Sequence, residues 1–285
     1  MLFLLEVSSL KQIKENIDRV DGFIMGYESF TSFCANKFSF AEVEEATTIS
    51  KNIYINLNEM LHNSLQDDFI KVITKLASLC VHFIVQDFGA ALLIKDIIDL
   101  DKVIFNPVTL ITNEMDASVY NKLGFEGIIC SSEITCEDVK TISLKNDNIG
   151  CVGFGYHPMY QSYRHIIDLY TENLEIDVKN KGLLFLKEWT RDKKYHVLDT
   201  ESGSVIFRPY VISLFKEFSL LSNIKFFIIN TIFIDDDQVN LICELVSDLK
   251  NDKIDASIVE KKLEETFTIE DGFIYEDSIY NPEEF

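Results

Sequence analysis

The sequence predicts an α/β fold: a (β/α)8 TIM-like barrel with a small antiparallel β insertion before the eighth strand. Three observations carry this. Eight short apolar runs rich in Ile, Val and Phe recur along the 285 residues, helix-like segments separate them, and no linker composition divides the chain. An unbroken apolar run is what a strand buried on both faces of a parallel sheet requires. Strand–helix alternation with short links implies parallel strands, and eight repeats favour closure over an open doubly wound sheet. With 47% hydrophobic residues and 22 phenylalanines, the chain can fill one large core, and residues 1–285 are read as a single domain.

The run LFLLEV (2–7) is the first strand. It is apolar for only a few residues and has no basic stretch before it, so a signal peptide is not expected and a cytoplasmic protein is. No apolar run reaches the ~18–20 residues of a membrane span. The segment SLKQIKENI leads to the second strand, GFIMGY (22–27). SFAEVEEATTIS, with Ser39 as its capping residue, leads to NIYINLN (52–58). DDFIKVITKLASL precedes HFIVQD (82–87), and GAALLIKDIIDL precedes KVIFNP (102–107). MDASVYNKLG ends on Gly124 before GIICSS (127–132). TCEDVKTIS, capped by Thr135, precedes the seventh strand, GCVGFG (150–155), and DLYTENL is the seventh helix.

The rhythm then breaks. Residues 182–210, GLLFLKEWTRDKKYHVLDTESGSVIFRPY, hold three β-prone runs separated by TRDKK and TESGS, hence the antiparallel insertion. The helix-like YVISLFKEFSLL returns the chain to FFIINTIF (226–233). DDDQVNLICELVSDLK has helical spacing, and its three aspartates suit a helix N-terminus, where negative charge is favourable. The acidic segment 264–285 contains DGFIYEDSIY, which either adds a strand or packs across the barrel.

Against 26 basic residues stand 47 acidic ones, a net charge of −21. Such a surface repels phosphate backbones, so a nucleic acid is not the expected partner, and neither is a membrane. The six cysteines form no C-x-x-C pair. Most are read as small core residues, and the set as neither a disulfide framework nor a structural zinc site.

In barrels, working residues gather at the carboxyl ends of the strands. Those ends offer Glu6, Tyr27 and Glu28, Asn56, Asn58 and Glu59, Gln86 and Asp87, Asn106, Ser131 to Glu133, and Asn230 with Asp235. Asp87 and Glu133 follow strands two apart; if they converge, their pKa values split into acid and base roles. Glu133 could instead cap the next helix or pair with Arg164. In GFGYHPMYQSYRHII (153–167), Gly153 and Gly155 permit close backbone approach or positive φ, though they form no dinucleotide fingerprint. His157 precedes Pro158 and is biased to extended backbone, so it reads as a loop histidine able to face the mouth. Arg164 can clamp a carboxylate in bidentate fashion, with Asn58 and Asn106 supplying amide recognition. Ser162 sits in no nucleophile elbow and is grouped with the binding residues. There is no Walker A, H-E-x-x-H or EF-hand motif, and His62, His82, His165 and His196 are widely spaced, so no metal site is expected.

The succession FSFAEVEEA, NIYINLNEM, FIVQDFGAALL, LITNE, GIICSSEIT and GFGYHPMYQSYRHII resembles the U32 peptidase family, the collagenase-like peptidases. YHVLDTESGSVIFRPY and DGFIYEDSIY are similar to its later segments, and the most specific pieces are SSEIT and the M-x-x-S-x-R of Met159, Ser162 and Arg164. The resemblance implies a barrel and a hydrolase acting on peptides at the barrel mouth. In that reading Glu133 or Asp87 is the acid/base, His157 a second proton carrier, Arg164 a substrate or oxyanion clamp, and water the nucleophile. Other family members modify RNA bases or act in ubiquinone biosynthesis, several with an iron–sulfur cluster on four cysteines near the loop after the seventh strand. Here that loop, GYHPMYQSYRH, has none, so no such cluster is expected; the cofactor is otherwise left open. A non-catalytic barrel binding a small anionic ligand or a partner is the alternative, and an RNA-modification role the third.

Overall fold

The computed structural model describes residues 1–175, 184–187, 189–190 and 192–276. It begins with β1 (Leu2–Glu6), α1 (Leu10–Asn16), β2 (Gly22–Tyr27), β3 (Lys37–Phe38), α2 (Phe40–Ile49), β4 (Ile53–Leu57) and α3 (Gln66–Ala77). There follow β5 (His82–Val85), α4 (Phe88–Lys95), β6 (Val103–Phe105), α5 (Glu114–Leu123), β7 (Gly127–Ile129), α6 (Cys136–Ser143), β8 (Ile149–Ser162) and α7 (Ile166–Asn173). The remainder is β9 (Leu184–Lys187), β10 (Lys194–Thr200), β11 (Gly203–Ser213), β12 (Phe226–Ile229), α8 (Asp236–Lys250) and α9 (Ala256–Glu264).

Strands β1, β2, β4, β5, β6, β7, β8 and β12 pair in parallel in that order, and β12 pairs with both β8 and β1, which closes the barrel. These are the eight apolar runs of the sequence. Because side chains alternate across a strand, each run serves two cores. Leu4, Ile24, Tyr54, Ile84, Ile104, Ile129, Phe226 and Ile228 fill the inside. Their neighbours Phe3, Leu5, Phe23, Ile55, Phe83 and Phe227 pack outward against the helices. Each such fully buried side chain stabilises the fold by about 1.5–3 kcal/mol. The closed end is further sealed by Glu126, which accepts from the Tyr54 hydroxyl at 3.3 Å and meets His82 Nδ1 at 2.6 Å.

The helices begin where local chemistry tells them to. Ser39 and Thr135 form capping boxes with Glu42 and Asp138, and Gly124 ends α5 at φ 93°. Asp235 caps α8 through Gln238, so the DDD run is a helix start. No helix among the described residues is long and apolar enough to cross a membrane.

Two sequence expectations are corrected. The stretch after the seventh strand is not a loop: β8 continues to Ser162 because β11 adds to it antiparallel, from Ser213↔Phe154 to Ser204↔Ser162. For the same reason YVIS is strand, not helix; Val211 and Ile212 pair with Tyr156 and Gly155, and only residues beyond Leu214 turn back toward β12. β10 and β9 extend this antiparallel sheet. Residues 182–183, 188 and 191 of the expected insertion lie outside the described residues. The C-terminal segment packs across the barrel: Ile269 bridges Val211, and the buried Ile274 accepts from the Cys136 N–H. Residues 277–285 lie outside the described residues.

Candidate functional site

The alternation that fills the barrel also builds its mouth. Two residues beyond Leu4, Tyr54, Ile84, Ile104 and Ile228 stand Glu6, Asn56, Gln86, Asn106 and Asn230, so a ring of one carboxyl and four amides tops an apolar floor. These residues line a cavity of about 720 Å³, open solvent above it included, with His157, Phe33 and Pro158 in its wall. An apolar cleft with a few convergent polar groups, at the carboxyl ends of barrel strands, is where such folds bind ligands.

Glu6 is the one carboxyl in that ring, and it is strongly perturbed. It is 5% exposed and accepts from the N–H groups of Ala35 and Thr231, each at 3.3 Å. Burial pushes its carboxyl up from 4.5 to about 7, and the two N–H donors restrain the rise. His157 is also buried, and burial, followed by the positive charge of Arg208, lowers it to about 3. It is therefore a neutral imidazole at physiological pH. Cys130 also lines the cavity, and burial raises its thiol to about 12, away from the reactive thiolate.

The other expected site residues are distributed as follows. Asn106 lines the cavity, and its side-chain oxygen accepts from Val108 N–H at 3.3 Å. Asn58 lines it too, but its amide is spent on the 32–33 loop: it accepts from Ser32 N–H at 2.8 Å and donates to the Phe33 carbonyl at 2.8 Å. Asp87 caps α4 through Ala90 N–H at 2.9 Å and also accepts from Leu61 N–H. Glu133 is exposed and outside the cavity lining. Neither Glu133 nor Asp87 is among the residues lining the cavity, and among the described residues no ion pair joins Glu133 to Arg164. Arg164 is likewise exposed, its N–H donating to Ser162 Oγ at 3.1 Å. The residues lining the cavity include no Lys or Arg.

The two glycines at the start of 153–167 have distinct reasons. A Cβ on Gly153 would stand 2.1 Å from the Phe227 ring, and Gly155 has φ 128° with the Asn230 carbonyl oxygen 2.3 Å from a Cβ position. Together they let β8 lie against β12 as it leaves the barrel. Its upper half then walls one side of the mouth. Gln86 Nε2 donates to Gln161 Oε1 at 2.8 Å, Ser202 Oγ donates to Glu59 at 2.7 Å, and the Tyr163 hydroxyl donates to the Met60 carbonyl.

Folding also gathers a group that sequence spacing concealed. Donor atoms of His165, Asp168 and Asp199 lie within 4.8 Å of one another, a set of the type that can hold a divalent cation. Asp199 already accepts from Asp168 N–H at 3.3 Å, from Ser204 Oγ at 3.0 Å and faces His165 Nδ1 at 3.2 Å. It thus acts as a remote cap for α7, with Ser204 Oγ accepting from Ile166 N–H at 2.8 Å. Asp199→Ala is expected to cost about 1–2 kcal/mol of stability in urea unfolding.

No curated protein matches the chain. The family model described as Peptidase family U32 matches residues 8–177, more than half of the chain, from just after the first barrel strand to beyond the extended seventh. On that match, and with the barrel it accompanies, the chain belongs to peptidase family U32.

Proposed function

We propose that this U32 protein hydrolyses peptide bonds at the barrel mouth, with Glu6 as the acid/base group. The observation that carries the reading is a buried carboxyl, raised to about 7, in a ring of amides above an apolar floor. A group titrating near the working pH is suited to both halves of the reaction. As carboxylate, Glu6 takes a proton from water while the hydroxide oxygen bonds to the amide carbon. As acid, it returns that proton to the departing nitrogen when the C–N bond breaks. Water is thereby added across the bond and Glu6 ends as it began. His157, kept neutral by burial and Arg208, serves this scheme as a hydrogen-bonding group; it is too weak a base to carry the proton. The amides of Asn106 and Asn230 are the groups for orienting the substrate.

The reading is tested with purified protein and fluorescein-labelled casein and gelatin. Wild type is expected to release labelled peptides and folded Glu6→Gln to release almost none. Equal cleavage by both, or none by wild type, overturns it. Glu133→Gln and Arg164→Ala, changes at exposed positions outside the cavity lining, are expected to keep rates within about twofold of wild type, as a ~0.5 kcal/mol surface effect implies. A small anionic ligand is the less favoured occupant, because the lining offers no cation to balance it and Glu6 opposes it.

A further inference from the structure

Two side-chain atoms at the mouth are buried without a hydrogen-bond partner: Nε2 of His157 and Oε1 of Gln86. The other atoms of this kind among the described residues, on Ser32, Asn148, His196 and Arg208, belong to residues outside the cavity lining. A buried polar atom left unpaired destabilises the protein, and a complementary ligand group recovers that loss. Gln86 is the more informative of the two because its orientation is held. Its Nε2 donates to Gln161 Oε1 at 2.8 Å, so the donor end is occupied and the carbonyl oxygen is the end left for a ligand.

We propose that Gln86, positioned by Gln161 on the walling strand, accepts an N–H from the ligand, so that the mouth selects amides bearing hydrogen on nitrogen over N-alkylated amides. This rests on the reading of the mouth as a peptide site. An N-methyl group removes the donor and sets a carbon against Oε1. A site built to pair a ligand N–H penalises the analogue that lacks it.

The test is calorimetric titration of the full chain with N-acetyl-Ala-Leu-Ala-amide and with variants methylated at each backbone nitrogen in turn. Methylation at one nitrogen is expected to weaken binding about tenfold or more, with the others changing it little. Gln86→Met, which keeps the volume and removes the acceptor, is expected to level the series, and Gln161→Met to narrow it. The inference is overturned if wild type binds every methylated peptide equally, if the parent peptide does not bind, or if folded Gln86→Met keeps the same preference. Glu6→Gln is expected to retain the selectivity. Loss of selectivity alongside Glu6-dependent casein cleavage therefore sinks this inference alone, and selectivity without such cleavage sinks the hydrolase reading alone.

Discussion

Glu6→Gln is expected to lower peptide hydrolysis by about 10²–10⁴-fold, the range for removal of a general acid/base, and to flatten the pH dependence of stability. Two effects of the same burial are involved. The folded carboxyl titrates at about 7 against 4.5 for the free group, so between these values the folded chain holds a proton that the unfolded chain has released. Stability supplied by the protonated form is complete below about 4.5 and is lost as pH rises through about 7. The shift corresponds to ~3 kcal/mol between the two limits. Glutamine has the same shape and no charge, so the fall attributable to this site disappears in the variant. Some stability is lost at all pH values, because a carboxamide offers one oxygen to the two N–H groups of Ala35 and Thr231. Urea unfolding of both proteins at pH 5 and pH 8 measures the difference. An unchanged pH profile would show that Glu6 ionises normally.

Gly155→Ala is expected to destabilise the fold by about 3 kcal/mol or more. Its φ of 128° is strained for any side chain, and the new Cβ would stand 2.3 Å from the Asn230 carbonyl oxygen, part of the backbone. Relief requires β8 and β12 to separate where Asn230 and His157 enter the cavity, so hydrolysis is expected to fall in the protein that remains folded. Gly124→Ala is the control. It also has positive φ, 93°, but its Cβ would meet nothing within 4 Å, and about 1–2 kcal/mol of backbone strain is expected. Urea midpoints of the two variants compare a clash plus strain with strain alone; equal losses would remove the clash from the explanation.

The barrel was legible because two-sided burial writes itself into the sequence as continuous apolar runs, one per strand. The mouth was legible in outline, because the period-two alternation carries straight on from Leu4 to Glu6 and from Ile84 to Gln86. What stayed hidden depends on distant chain. Glu6 is buried by the 31–35 loop and by Thr231, 225 positions away, and nothing local to LFLLEV announces that. His157 reads as a loop residue until β11 pairs alongside it. His165 and Asp199 meet only through the insertion. Asp87 is the opposite case: an aspartate three residues before Ala90 at the start of a helical run carries a local capping signal. α9 was also within reach, since the apolar Val259 and Leu263, four apart, follow Asp255 at the N-cap position, although its side chain makes no capping hydrogen bond.

The family match starts at residue 8, so Glu6 and Asn230 join the mouth from strands outside it, while Asn56, Gln86, Asn106 and His157 lie within it. The carboxyl assigned to the chemistry is thus supported by the geometry and electrostatics of this chain. The most direct measurement is a ¹³C-carboxyl NMR titration of Glu6, assigned by its disappearance in Glu6→Gln, with the casein hydrolysis rate followed over the same pH range. A midpoint near 7, with the rate tracking that ionisation, is the expected result. A midpoint near 4.5, or a rate indifferent to the titration, would contradict Glu6 as the acid/base at the mouth.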